Sequence, residues 1–406
     1  KREAILKGNA AICFTGLPGD EEDRVDAQKT EKLLKKIHDE LPAKLKEVGI
    51  RFHVPEKIAV RQLKKLWKRI HARIKADGIE LVSGKGKRKT RLQRLSEWGD
   101  QCLAKLKQYT NDIHICGNRN SFSKTDHDAT FMHMKEDYMR NGQLKPGYNV
   151  NVATCSDFII GSYISSDRND VHTLIPFMEQ LQKNYEGKNI GSVVVDSGYE
   201  SEENYCWFEA HPETELYVKP SNHEAAKHRK YRTDISRREN MAYNAQTDTY
   251  TCANGKLLQK TQEKKTHTAS GLEITTSVYE CSECDGCPLK EKCIRACGSK
   301  KPLEERHKVI YVSKRFARQR QAMEAKISSP KGCLLRVNRS IQAEGNFAYV
   351  KQDLDFRRFL LRGSTKVAAE WLLFSLALNI LHLHHKIQNR RLGSGLKIPS
   401  SFPAGL

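Results

Sequence analysis

Asp196 ends a run of three valines in GSVVVDSGYESEENY (residues 191–205), and Glu344 stands seven residues before Lys351 in NRSIQAEGNFAYVKQDLDFRRFLLRG (residues 338–363). Four cysteines, Cys281, Cys284, Cys287 and Cys293, crowd into YECSECDGCPLKEKC with the spacing C-x2-C-x2-C-x5-C. These are the residues whose types and spacing could do chemistry. A carboxylate at the carboxyl end of a strand buried on both faces sits where α/β sheets place their sites. The same aspartate also suits a turn or a helix cap. Glu344 and Lys351 would share one face of a regular α-helix, with Arg357, Arg358 and Arg362 close behind. A carboxylate among cations is what a protein needs to hold a divalent metal beside phosphate. A salt-bridged surface helix has the same composition. Four clustered thiolates satisfy one tetrahedral Zn2+. Four reduced thiols fit the spacing too, and so does an iron–sulfur cluster, because Pro288 follows Cys287. Cys252 and Cys297 are spare candidates.

Charge points to the kind of partner. Lys and Arg total 70 against 49 Asp and Glu, a formal net charge of +21 in 406 residues. Such a surface suits a polyanion, nucleic acid first, because Lys and Arg neutralise phosphates and release counterions. A basic but inert surface is the plain alternative. Twelve cysteines, four of them bunched, suit a reducing compartment with a metal site better than a disulfide scaffold. No run of 18 apolar residues marks a membrane span. The most apolar stretch, VAAEWLLFSLALNILHLHHK, holds Glu370, Asn379 and histidines, and reads as a buried amphipathic helix. His382, His384 and His385 at its end suit the helix C-terminus better than a metal.

The elements that must position these residues follow from the pattern. Residues 22–110 repeat apolar positions every three or four residues with Lys and Glu between, which predicts helices in a hairpin or bundle with a positive face. That face is either solvated or a DNA contact. From about 146 the period changes. GYNVNVAT and DFIIGSYISS read as paired strands, and DVHTLIPFMEQLQKNY as a helix capped by Asp170. SVVVDSGY is a strand, Ser201 caps the next helix, and ELYVKP is a strand. The order β-β-α-β-α-β predicts an α/β layer architecture. Residues 224–330 read as a polar Cys-rich insertion, 331–390 as helical, and 391–406 as a loose tail.

The run VVVDSGYESEENY, LYVKPSN, RSIQAEGNFAYVKQDLDFRRFLLRG and KVAAEWLLFSLALNI resembles a DDE transposase of bacterial insertion sequences over roughly 110–390. The stretch ICGNRNSFSKTDHDATFMHMKEDYMRNGQLKPGYNV points to the branch with a Cys-rich insertion. The resemblance implies an RNase H-like mixed sheet flanked by helices, with an N-terminal helical insertion and the Cys-rich insertion before the last catalytic helix. In domain terms it implies a helical basic segment (1–111), the first part of the core (112–223), a zinc knuckle (224–330), the Glu helix and C-terminal helices (331–390) and the tail. In such a fold, carboxylates gather two Mg2+ or Mn2+ ions about 4 Å apart for in-line phosphoryl transfer. Water attack frees a 3′-OH at the element's end, and that 3′-OH attacks target DNA. Asp196 matches the family's second carboxylate and Glu344 its third.

Lys351 matches the lysine of the family's Tyr-Arg-Glu-Lys signature, while the arginine place, four before Glu344, holds Ser340; Arg339 and Arg336 stand close to it. The first aspartate is expected on a strand preceding the KREAIL stretch, upstream of Lys1. Asp126 and Asp128 are family features that order a loop or approach the site. The implied partners are double-stranded DNA, as terminal inverted repeats and target, and a second copy in a homodimer, with no membrane. The implied setting is the bacterial cytoplasm, at the nucleoid. A truncated DNA-binding remnant without catalysis is the alternative reading, and a stand-alone endonuclease of the same fold is a third.

Overall fold

In the computed structural model, which describes residues 12–13, 25–55, 59–84, 86–133, 143–186, 188, 190–268, 270–295, 301–356 and 358–392, the apolar repeats of the first hundred residues become three helices. These are α1 (Val25–Glu47), α2 (Val60–Ala76) and α3 (Arg91–Cys116). Leu41 and Leu45 of α1, Leu66 and Ile70 of α2, and Leu95 and Leu106 of α3 bury one shared core. Their spacing leaves Arg61, Lys64, Lys65, Lys68 and Arg69 of α2 exposed, with no acidic residue in that helix. Thr90 caps α3 by accepting the Gln93 N–H at 3.1 Å. The closest approach is at Gly99, where an added Cβ would lie 1.4 Å from the Trp67 ring. Trp67 Nε1 donates to the Ser96 carbonyl at 3.1 Å, so the indole cannot slide away freely.

The chain divides into two units. The first comprises Lys1–Asn149, Ile164–Arg168 and Arg358–Glu370. Beside the helices it holds two small antiparallel ladders, β1 (Ile12–Cys13) with β2 (Ser121–Phe122), and β3 (Thr130–Met132) with β4 (Lys145–Gly147).

The second unit carries the expected order: β5 (Asn149–Cys155), β6 (Phe158–Ser165), α4 (Leu174–Asn184), β7 (Ser192–Val195), α5 (Glu202–Ala210) and β8 (Glu215–Val218). β5 pairs with β6, and β7 runs parallel to β8 with Val193 opposite Leu216. Among the described residues these form two separate ladders. Ser201 caps α5, its Oγ accepting the Asn204 N–H at 3.0 Å. Asp170 does not cap α4: it lies in a 3-10 turn, Asp170–His172, and Thr173 precedes the helix without a side-chain cap. The chain spends one extra turn there before the helix begins.

The Cys-rich stretch is more ordered than its polar composition suggests. After the short helices α6 (His223–Lys227) and α7 (Arg229–Arg232) come β9 (Ala242–Asn244), β10 (Thr249–Thr251), β11 (Leu257–His267) and β12 (Glu273–Glu280). Then follow α8 (Lys290–Cys293) and β13 (Val309–Val312). The five strands make one antiparallel sheet in the order β13-β12-β11-β10-β9. Most of β11 is exposed, which is why its Lys, Gln and Thr residues hide the strand from a hydrophobic reading.

α9 (Lys314–Ser328) returns from this sheet to the α/β layers. Its Met323 and Ile327 pack with Phe177 and Leu181 of α4, Phe208 of α5 and Val218 of β8. A buried ion pair fixes the same crossing. Arg320 of α9 grips Glu200 with two bonds, both 2.8 Å, while the Ser221 N–H donates to Glu200 at 2.7 Å. The Glu200 side chain is 1% exposed. α10 (Pro330–Arg339) and the long α12 (Ser364–Gln388) complete the chain, with a short α11 (Gly345–Ala348) between them. Arg357, Cys297, the KREAIL stretch and residues 393–406 lie outside the described residues.

Three predictions follow from this packing. Gly99→Ala should lower stability by about 1–3 kcal/mol, because the methyl must displace a hydrogen-bonded indole, as read by urea denaturation. Burial raises the Glu200 pKa, but the Arg320 and Ser221 hydrogen bonds outweigh it and hold the carboxyl below its usual range. A lowered carboxylate pKa gives stability that is present above the unfolded value and lost as pH falls through the folded one. Glu200→Gln should therefore flatten the acid limb of a melting-temperature profile, and Arg320→Ala should cost about 3–5 kcal/mol by leaving a buried charge.

Candidate active site

Glu344 stands on a helix of uneven pitch. α10 continues into a π-helical turn, Ser340–Glu344, then α11, then a second π turn, Tyr349–Asp353. In π winding, residues five apart lie one above the other. Arg339 and Glu344 are five apart, and Arg339 Nη2 donates to Glu344 Oε1 at 2.8 Å. Glu344 is 63% exposed on its side chain and Arg339 24%. The pair is thus open to solvent on the acid side and held on the guanidinium side. Lys351 lies in the second π turn, and its ammonium lies 5.9 Å from the Phe347 ring centre.

Amide side chains hold this helix in place. The β5–β6 hairpin turns at Ser156 and Asp157, both with left-handed φ of 52° and 71°. The Asp157 N–H donates to Gln342 at 3.4 Å, and Asn346 Nδ2 donates to the Asp157 carbonyl at 3.5 Å. Lys386 of α12 pairs with the Asp157 carboxylate at 3.2 Å. Asn379 both accepts the Ile159 N–H and donates to the Ile159 carbonyl, each at 2.8 Å. His382 bonds Asn346 at 2.8 Å, so this histidine has a structural partner. α12 is long and apolar enough to cross a membrane. Its polar residues Asn379 and Lys386 instead bind the hairpin. The helix is two-sided: Leu372, Leu373, Leu376 and Ile380 are more than half exposed, while Trp371 and Leu378 are buried.

Asp196 ends β7 and caps the next turn. Its Oδ1 accepts the Ser197 N–H at 2.7 Å. The capping geometry therefore uses one carboxylate oxygen. The following residues build a small polar centre that the sequence reading missed. Tyr199 donates to Asn151 Oδ1, as does Thr173 at 2.8 Å. The Asp170 carboxylate lies so close over Gly198 that an added Cβ would fall 2.8 Å from Oδ2. Burial raises the Tyr199 pKa, the Asp170 and Asp196 charges raise it further, and Arg339 opposes them. The only sequence signal was the strand alternation that turns Asn151 inward and a glycine beside an acid-rich turn.

Asp126 and Asp128 serve the first unit. Tyr148 donates to both Asp126 oxygens at 2.8 and 2.9 Å, and the Gly363 N–H donates to Oδ1 at 3.2 Å. Asp128 accepts the Ser364 N–H at 2.8 Å and its hydroxyl at 2.9 Å. The Ser364 bond lowers the Asp128 pKa against burial. Both aspartates therefore anchor the start of α12, in line with a loop-ordering role. Arg358 and Arg362 also belong to the first unit, and Arg362 donates to the Thr125 carbonyl at 3.4 Å.

Cys281, Cys284, Cys287 and Cys293 line one pocket together with Cys252. Among the described residues, no three Cys, His, Asp or Glu side chains close on one point at metal-ligating distance. The carboxylates on β7 and the π turn are hard oxygen donors of the kind Mg2+ takes. Asp196 keeps Oδ2 outside its capping bond and Glu344 is solvent-facing, so both suit such an ion.

Residues 251–384 match the family described as transposase DDE domain. The similarity to a transposase DDE domain covers about a third of the chain. The matched stretch runs from the Cys-rich sheet through the π turns into α12, and holds Glu344, Arg339 and the four clustered cysteines. Asp196 lies before it. No curated protein and no solved structure matches the chain. DDE transposases in general act on DNA with divalent metals such as Mg2+.

The amide pins make a measurable claim. Asn379→Ala should cost about 1–3 kcal/mol, because it strands both the Ile159 N–H and its carbonyl. Chemical denaturation reads this, and Leu376→Ala on the exposed face of the same helix should change stability far less.

Proposed function

We propose that this transposase domain cuts and joins DNA strands by phosphoryl transfer, with Asp196 and Glu344 as carboxylates that hold Mg2+ or Mn2+. The reading places the chain in an RNase H-like fold of the insertion-sequence kind, acting on element ends and target DNA as a homodimer. The observation that supports it is the family match over residues 251–384, a stretch that holds Glu344 and the Arg339 that pairs with it at 2.8 Å. A bound divalent pair would stabilise the charge that develops on the attacking and leaving oxygens. The chain's own residues do the rest. Asp196 presents one carboxylate oxygen from a capped and rigid turn. Arg339 orients Glu344 along the π turn and supplies positive charge beside the scissile phosphate. Lys351, further along that helix, faces the DNA backbone. Arg357, Arg358 and Arg362, with the exposed cations of α2, bind backbone phosphates. The four clustered cysteines hold a structural Zn2+ that stiffens the Cys-rich sheet.

The test uses supercoiled plasmid DNA and a 3′-OH oligonucleotide. With Mg2+ or Mn2+ the chain should nick the plasmid and join the oligonucleotide to it. Asp196→Asn and Glu344→Gln should each lower nicking by about 100-fold or more, with circular dichroism and plasmid binding unchanged. Binding without any metal-dependent nicking would instead establish the DNA-binding remnant. Nicking without joining would establish an endonuclease.

A further inference from the structure

The last helix is built inside out. α12 turns polar side chains toward its own fold: Ser375 is buried, Asn379 bonds the backbone of β6, His382 bonds Asn346, and Lys386 is buried beside Asp157. Its large apolar side chains face out. Leu373, Leu376, Ile380, Leu383 and Ile387 are all exposed, Leu373 by 69% and Ile380 by 61%. The charged residues between Ala369 and Ile387 are Glu370 and Lys386, and both are buried. Single surface leucines are ordinary, but a contiguous uncharged stripe marks a contact.

The spacing of the stripe says what covers it. The steps from Leu373 to Ile387 are three, four, three and four residues. A stripe that keeps a period of 3.5 over two heptads is the seam of a helix pair. Leu373, Ile380 and Ile387 take one heptad position, and Leu376 and Leu383 the other. Ile at the first with Leu at the second is the combination that favours two parallel strands. The partner must therefore be a helix with a matching uncharged stripe. Among the described residues, α12 is the helix that exposes one; the apolar stripes of α1, α2 and α3 are spent on their shared core. The match to α12 is thus a second α12. With Leu372 beside the seam, a pair would cover on the order of 1,000 Å2, about what a small specific interface needs. A helix lying on a membrane would instead carry Lys and Arg on the face opposite its apolar stripe, free for lipid headgroups. Here that face is bound to the β5–β6 hairpin and the Glu344 helix.

We propose that α12 is the dimer interface of this chain: two copies pair their α12 helices side by side and parallel, about a two-fold axis along the seam. Each residue of the seam then meets its own counterpart, Ile380 against Ile380 and Leu373 against Leu373. The inference rests on the homodimer reading above and gives it a surface. It also places the pins of the Glu344 helix directly behind the contact, because Asn379 and Lys386 lie on the same helix as the seam.

The experiment uses the full chain in analytical ultracentrifugation over a range of concentrations. A species of twice 46.4 kDa is expected. Ile380→Glu should raise the dimer Kd by about 30-fold or more, the loss seen for a central interface residue. Its circular dichroism should be unchanged, because Ile380 is already exposed in one chain. Leu376→Ala should weaken the dimer as well, although it costs one chain's own fold little. Leu81→Glu, an exposed leucine far from the seam in sequence, should leave the dimer intact. Ile380→Cys and Leu373→Cys, each oxidised and compared with the unsubstituted chain, should both cross-link two copies. Cross-linking of Ile380→Cys without Leu373→Cys overturns the parallel arrangement. A dimer that Ile380→Glu leaves intact overturns this surface and leaves the homodimer reading standing. A chain that stays monomeric overturns both, and a monomer that floats with vesicles of phosphatidylethanolamine and phosphatidylglycerol assigns the stripe to lipid instead.

Discussion

The turn at Ser156 and Asp157 is the fixed point from which the second unit is measured. Its two left-handed residues leave Asp157 with its N–H, its carbonyl and its carboxylate all pointing at helices. Gln342 and Asn346 bind the first two groups, and Lys386 the third. Two residues beyond, Asn379 pairs with both backbone groups of Ile159 in β6. Apolar packing tolerates sliding by a residue's width. Amide pairs with backbone do not, because a misplaced donor leaves a buried group without a partner. The helix of Glu344 therefore has one register against the sheet, set by hydrogen bonds rather than by its modest apolar face.

Charge is distributed with the same economy. A chain of formal charge +21 would repel itself without internal acids, and several acids here meet a cation. Glu200 has Arg320, Glu202 has Arg315, and Asp248 has Lys314 with two tyrosines. Glu344 differs in degree: Arg339 meets it on one side, and the rest of its carboxylate faces solvent. Asp196 and Asp170 flank a buried phenol.

How far the sequence could be read depended on whether periodicity survives in three dimensions. The bundle helices were legible because Leu66 and Ile70 repeat with helical spacing and face one core. The order from β5 to β8 was legible because β7 is four residues of apolar strand bounded by turn residues. β11 was not, because its strand is exposed and its residues are Lys, Gln, Glu and Thr. Asp170 was read as a cap because capping residues and polar-site residues are the same types; only the proximity to Gly198 separates them. Cys252 stood apart in sequence by almost thirty positions from Cys281. Only the hairpin brings it to the other thiols.

The wide turn before Glu344 has a consequence for how such proteins are compared. A signature written as a fixed interval, arginine four places ahead of the acid, finds Ser340 here and scores a loss. The turn carries one residue more per hydrogen-bonded ring than an α-helix does. It therefore takes up a one-residue displacement locally, and the guanidinium still arrives at the carboxylate from the fifth place. Intervals along a helix measure position only while the pitch is constant. In this chain the pitch is part of the motif, and alignments that allow a single-residue gap inside this helix would group it with sequences that a rigid pattern sets apart.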